Sequence, residues 1–108
     1  MPFKAVAPKI RATSAVQLKK MLHDGAEIAV LDVREEGVFA KRHLLLAASA
    51  PLSRLEIRMP LLVPRRSTRT VICDGGEGLA GRAAMVLMRN GYTDVMVLDG
   101  GVDAWAAA

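Results

Sequence analysis

The residue in this chain best suited to covalent chemistry is Cys73, its single cysteine. An apolar run, Thr70-Val71-Ile72, leads into it, and Asp74-Gly75-Gly76-Glu77-Gly78-Leu79 follows. Three glycines in so short a stretch let the backbone curl until successive N–H groups face the sulfur. The apolar periodicity after them predicts a helix over Ala80 to Asn90, whose positive dipole end would point at the same place. Both effects favour thiolate over thiol, and the thiolate is the nucleophile. The alternative is a small buried residue at a strand end, since free cysteine is among the most buried residue types.

The elements needed to hold such a loop follow from the hydrophobic pattern. Ile28-Ala29-Val30-Leu31-Asp32-Val33 and Val95-Met96-Val97-Leu98 are short, nearly continuous apolar runs, as expected of strands buried on both faces. Ile10 is expected in a short first strand. Thr13 or Ser14 then caps a helix with Val16, Leu18, Met21 and Leu22 on one face, ended by Gly25. Glu35 to Arg42 reads as a short amphipathic helix carrying Val38 and Phe39 inward. Leu44 to Leu52 reads as an extended stretch closed by Pro51. A helix over Ser53 to Met59 is expected, with Ser53 as its cap and Pro60 as its stop. Pro64 to Ser67 reads as a loop. Gly91 ends the helix after the cysteine, and Gly100-Gly101 opens a closing segment, Val102 to Ala108, with Trp105 inward.

Strands alternating with helices predict a single α/β domain over residues 1–108, a central, mostly parallel sheet with helices on both faces. Ligands of such sheets bind beyond the carboxyl ends of the strands, where Asp32 and Cys73 both fall. A chain of 108 residues builds one core, and with 52% hydrophobic but only 4% aromatic residues that core is aliphatic. The closing helix ends with the sequence, which gives the expectation of one module from a longer protein.

Composition also excludes several functions. One cysteine forms no internal disulfide, so a reducing, cytoplasmic setting is expected. Two histidines far apart and no metal-ligand spacing argue against a metal site. No segment approaches membrane-spanning length, and the N-terminus lacks a signal peptide's apolar stretch. The formal net charge of +4 is densest at Arg65, Arg66 and Arg69. That run reads as a solvated loop or as a patch steering anions. Nucleic acid is an unfavoured partner because the basic residues are not interleaved with aromatics.

Taken in order, Val30-Leu31-Asp32-Val33-Arg34-Glu35, Phe39 and His43, Val71-Ile72-Cys73-Asp74-Gly75-Gly76, Arg82-Ala83-Ala84, Gly91-Tyr92-Thr93-Asp94-Val95, Leu98-Asp99-Gly100-Gly101 and Trp105 resemble the rhodanese, or sulfurtransferase, family. The resemblance implies a sulfurtransferase. Cys73 would take a sulfane sulfur from thiosulfate or another persulfide donor and pass it to a thiophilic acceptor, cyanide or a thiol, with a protein acceptor also open. It implies no cofactor. It makes Cys73 the nucleophile, with Asp74, Gly75, Gly76, Glu77, Gly78 and Leu79 as pocket walls whose amides cradle an anion. Asp32, Arg58 and Arg82 are supporting candidates.

The chain departs from the family pattern inside the loop. Members active on thiosulfate carry a basic residue where this chain has Gly78, and phosphatase-like relatives carry it where this chain has Leu79. Asp74 and Glu77 stand in the loop instead, where they should repel thiosulfate or phosphate and raise the thiol pKa. The loop is one residue longer than is usual in sulfurtransferases, a length shared with dual-specificity phosphatases and arsenate reductases. Phosphatase or arsenate reductase chemistry nevertheless ranks low, because phosphoryl transfer relies on the missing arginine. A bulkier or less anionic donor fits such a loop better.

Asp32 is expected to cap the next turn and Arg34 to pair with a surface carboxylate; the functional alternative sets Asp32 at the pocket mouth. Arg82 is expected in a salt bridge or helix-face contact. Arg54 and Arg58, spaced to share a helix face, are candidates for the positive charge the loop lacks. His43 is expected to bond backbone, and Arg42 replaces the family's usual glycine before it. Met85, Val86, Met88 and Trp105 read as core or helix-face residues. The rival to catalysis is a rhodanese-like regulatory or docking module using the basic surface and the loop mouth.

Overall fold

The computed structural model describes residues 10–35, 47–75 and 78–107. Five strands of the described residues form one parallel sheet: β1 (Arg11–Thr13), β2 (Ile28–Asp32), β3 (Ala48–Ser49), β4 (Arg69–Cys73) and β5 (Val95–Leu98), in the order β1-β5-β4-β2-β3. β4 therefore runs through the middle, flanked by β2 and β5. Among the described residues four helices cover the sheet: α1 (Ala15–Met21), α2 (Leu55–Leu62), α3 (Leu79–Arg89) and α4 (Gly101–Ala107). A 3-10 turn, Leu52–Arg54, precedes α2.

Alternation along the strands divides the core into two layers. Leu31 and Ile72 face one way, into a cluster with Leu55, Met59 and Val63 around α2 and Ala80, Ala83, Ala84 and Leu87 from α3. The alanines let α3 lie close to the sheet. Val30, Val71 and Cys73 face the other way, with Ala15 and Leu18 of α1 and Val102 of α4. Trp105 packs against this second cluster, and the Lys19 ammonium lies 5.3 Å from its ring centroid. Helices thus lie on both faces of a parallel α/β sheet, as the sequence pattern required.

Helix boundaries follow local chemistry. Ser14 caps α1 by accepting from Gln17 N–H, and the Gln17 side chain accepts from Ser14 N–H in return. The helix stops at Met21, and Gly25 takes φ +80° in the turn beyond. Of the four residues expected to share one face, Leu18 is fully buried in the core whereas Val16 is exposed at 58%. α3 ends at Arg89, and Gly91 supplies the left-handed φ of +91°.

Two further expectations are corrected. Ser53 lies inside the 3-10 turn and donates to Glu35 Oε1 instead of capping a helix. Pro60 lies within α2 and does not stop it. A proline removes one N–H, and the buried residues Leu55, Met59 and Val63 at four-residue spacing hold the helix through that gap, with Val63 N–H still reaching Met59 O. The expected helix over Glu35 to Arg42, and with it Val38, Phe39, Arg42 and His43, falls outside the described residues apart from Glu35.

The basic run is not a steering patch. Arg65 pairs with Glu27, Arg66 Nε donates to Asn90 O at 2.7 Å, and Arg69 forks onto Asp24 at 2.7 and 2.9 Å. Arg11 pairs with Asp94 alongside. Asp24 and Glu27 precede β2, Asp94 precedes β5 and Arg69 opens β4, so these pairs tie together the amino ends of the strands. Cys73 lies at the opposite end.

Candidate active site

At the carboxyl end of β4, Cys73 stands in register with Asp32, the last residue of β2. Pairing continues past β2, where Val33 N–H donates to Cys73 O at 3.1 Å, Ala50 N–H to Asp32 O at 2.8 Å and Leu52 N–H to Val33 O at 3.1 Å. Both Cys73 and Asp32 have no exposed surface. The loop leaves Cys73 through buried Asp74 and exposed Gly75 and enters α3 from Gly78, which caps the helix at φ +86°. That left-handed value is the reason for glycine there. Leu79, expected as a pocket wall, is the first helical residue and packs on the α2–α3 cluster. Gly76 and Glu77 fall outside the described residues.

Asp32 does cap the next turn: its Oδ1 accepts from Arg34 N–H at 3.0 Å. Arg34, expected to reach a surface carboxylate, instead folds back onto Asp32. Its Nε lies 3.0 Å from Oδ1 and its Nη2 2.7 Å from Oδ2. The side chains are 9% and 0% exposed, so this is a buried, forked ion pair beside the cysteine. The burial of Asp32 explains the partner, because an unpaired carboxylate there would be strongly disfavoured.

Asp74 is tied down as firmly. Its Oδ2 accepts from Ala80 N–H at 2.8 Å, and its main-chain O accepts from Val102 N–H at 2.9 Å. The loop thus bridges the amino ends of α3 and α4. Gly101 makes that approach possible: a Cβ there would stand 2.3 Å from Asp74 O.

These neighbours determine the state of the thiol. Burial pushes Cys73 up from an ordinary 9.0 to about 12; the Asp32 and Asp74 carboxylates add to the rise, against a smaller lowering by Arg34. Burial thus opposes the thiolate that the loop amides and the α3 dipole are expected to favour. Among the described residues, a hydrogen bond from its own backbone N–H lowers the pKa of Cys73, and the Ala80 amide is taken by Asp74. Among the described charged side chains, Asp32, Arg34 and Asp74 act on the sulfur.

The other supporting candidates lie apart from that group. Arg58, half-buried on α2, approaches Ser49 O at 3.4 Å at the end of β3. Arg82 is exposed on α3 and lines a shallow groove with Leu52, Met85, Val86 and Arg89. No group of three His, Cys, Asp or Glu that could hold a metal occurs among the described residues. Nor is any described helix long and apolar enough to cross a membrane. Sequence reasoning missed Tyr92 as a support: its hydroxyl donates to Val63 O at 2.6 Å and locks the end of α2 against the α3–β5 turn. A tyrosine just after the helix-ending glycine was the available signal.

Residues 14–108 match the family model described as a rhodanese-like domain. The chain belongs to the rhodanese-like domain family. The thiosulfate sulfurtransferase from Pseudomonas aeruginosa superposes with a TM-score of 0.86 at 46% identity, over 91% of this chain and 19% of that one. The Alr3790 protein from Anabaena gives a TM-score of 0.82 at 27% identity, over 88% of this chain and 85% of that one. The uncharacterised protein YqhL of Bacillus subtilis (strain 168) is 34% identical over 76 residues, 70% of this chain and 59% of YqhL. This rhodanese-like domain thus spans about a fifth of the Pseudomonas enzyme and less than two thirds of YqhL.

Proposed function

We propose that this rhodanese-like domain is a sulfurtransferase that carries sulfane sulfur on Cys73. The observation behind this reading is the position of Cys73 at the carboxyl end of the central strand, entering a glycine-rich loop that turns into α3, in a chain 46% identical to part of a thiosulfate sulfurtransferase. Two half-steps balance the reaction. The Cys73 thiolate attacks the outer sulfur of thiosulfate or of another persulfide donor, the donor S–S bond breaks, and its electron pair leaves with sulfite or with the donor's thiol sulfur. The Cys73 persulfide then gives that sulfur to a cyanide or thiol acceptor, and the thiolate returns.

The resting thiol is protonated and covered, so admission of a donor and activation of the sulfur are one event. Burial is the largest cause of the raised pKa. Any opening that lets a donor reach Sγ also brings water, removes that cause and frees the thiolate. In the covered state the protonated thiol resists adventitious oxidation. Phosphatase chemistry remains disfavoured, since neither Gly78 nor Leu79 supplies a cation and Asp74 already holds the Ala80 amide.

Intact-mass measurement of the reduced protein after brief exposure to thiosulfate or glutathione persulfide tests the reading, with Cys73→Ser as control. One added, cyanide-removable sulfur on the wild type alone supports it. The raised thiol pKa favours a second reading, a docking module in which Cys73 is structural, and absence of added sulfur from both donors would select that one. The basic run is a poor docking face, because Arg65, Arg66 and Arg69 are already engaged.

A further inference from the structure

The carboxylate next to Cys73 in sequence is also the group that satisfies the first turn of α3. Asp74 is 5% exposed, with Oδ2 on Ala80 N–H at 2.8 Å and its carbonyl on Val102 N–H at 2.9 Å. Gly101, at φ +63°, is shaped around it: a Cβ there would lie 2.3 Å from Asp74 O and 3.2 Å from Oδ1. Held by its carboxylate from α3 and by its main-chain carbonyl from α4, Asp74 is a fixed part of the loop. Its carboxylate acts on the sulfur as a like charge, together with Asp32 at the end of the neighbouring strand.

An oxyanion entering this loop therefore meets a helix amide already taken by a full negative charge. We propose that Asp74 sets donor specificity, excluding oxyanion donors such as thiosulfate in favour of persulfides of organic thiols. The proposal rests on the reading of Cys73 as the sulfur acceptor. In the favoured reaction the Cys73 thiolate attacks the outer sulfur of R–S–SH, whose electrophilic form is uncharged. The donor S–S bond breaks, its electron pair leaves on R–S, and the proton given up by Cys73 ends on that thiol. The products are Cys73–S–SH and R–SH, with no outside oxidant or reductant. With thiosulfate the same step carries a dianion inward and expels sulfite beside Asp74, so repulsion acts on both approach and departure.

The test compares wild type with Asp74→Asn, which keeps a carbonyl oxygen for Ala80 N–H while removing the charge. Asp74→Ser, whose hydroxyl can accept from the same amide, serves if the first variant fails to fold. Mass spectrometry follows sulfur loading from thiosulfate and from the persulfide of 2-mercaptoethanol. A parallel arm, independent of sulfur transfer, follows alkylation of Cys73 by anionic iodoacetate and neutral iodoacetamide. Removing one like charge several ångströms away should raise the thiosulfate-to-persulfide and iodoacetate-to-iodoacetamide rate ratios on the order of tenfold. Salt should raise both ratios in the wild type and leave them nearly flat in the variant. Asp74 acting only as a structural cap would change both members of each pair equally, and unchanged ratios overturn the proposal. If neither donor loads sulfur on either protein, the sulfurtransferase reading fails and donor specificity with it, while the alkylation ratio still decides whether Asp74 repels anions.

Discussion

The buried Asp32–Arg34 pair gives two substitutions that should move the Cys73 thiol in opposite directions while destabilising the protein alike. Asp32 and Cys73 are register partners on adjacent strands, which lie about 4.8 Å apart. Taking the carboxylate to sulfur as roughly 6 Å, one like charge at an effective dielectric near 20 is worth about 3 kcal/mol, or about two pH units. Asp32→Asn removes that charge and releases Arg34 to act alone, so the thiol should fall from about 12 toward the ordinary 9.0 by about two units. Arg34→Met keeps the stem volume, removes the opposing cation and should push the thiol further up. Each variant breaks a buried pair by deleting one partner, at a cost of about 3 kcal/mol in urea unfolding.

Thiolate absorbance in the ultraviolet, taken as the difference from Cys73→Ser at each pH, reads the titration directly. Stability gives a second readout with a defined sign. The folded protein holds the thiol proton more tightly than the unfolded chain, so this contribution is complete below about pH 9 and is lost as pH rises from 9 toward 12. Relative to Cys73→Ser, the wild type should lose at most about 1.4 kcal/mol per pH unit across that window. A wild-type thiolate appearing below pH 9, or both pair variants shifting the titration the same way, would refute this account.

Three further outcomes are expected. Tyr92→Phe removes the hydroxyl that donates to Val63 O at 2.6 Å and should cost about 1–2 kcal/mol, seen as a lower urea midpoint at unchanged slope. Gly101→Ala puts a Cβ 2.3 Å from Asp74 O at a positive φ and should cost at least about 2 kcal/mol by thermal unfolding. Asp24 is held at about 2 by Arg69 and by Ala26 N–H, so its stabilisation is present above its ordinary 3.8 and lost as pH falls toward 2; Asp24→Asn should flatten the acid limb of a stability–pH curve.

The sheet was legible because β2, β4 and β5 are apolar runs too short and too β-branched for helices, and because Ser14 and Gly91 mark helix ends by side-chain capping and positive φ. Readings failed where a local rule met a tertiary contact. Pro60 should break a helix, yet the buried residues Leu55, Met59 and Val63 hold α2 through it. Arg34 looked like a surface residue, but no sequence rule says that its carboxylate is Asp32, two residues back and fully buried. At the cysteine loop, burial of Cys73 was the feature the sequence could not display. The Asp74 side chain takes the Ala80 amide, and the close approach of the loop to α4 depends on Gly101, in another part of the sequence.

The two ends of the sheet carry opposite consequences of one composition. At the amino ends of the strands, Arg11, Arg65 and Arg69 are matched with Asp94, Glu27 and Asp24, so three of the 15 Lys and Arg residues behind the formal charge of +4 are locally neutralised. At the carboxyl ends, the described charged groups acting on Cys73 are two carboxylates and one guanidinium, a negative excess among the described residues. A whole-chain charge would predict attraction of small anions, but field strength at a sulfur is governed by groups within a few ångströms in a poorly solvated site. Local charge should therefore decide which donors reach Cys73. Raising the bulk charge, for example by Glu56→Lys on exposed α2, should leave the thiosulfate-to-persulfide ratio nearly unchanged, whereas removing the single charge of Asp74 should shift it on the order of tenfold.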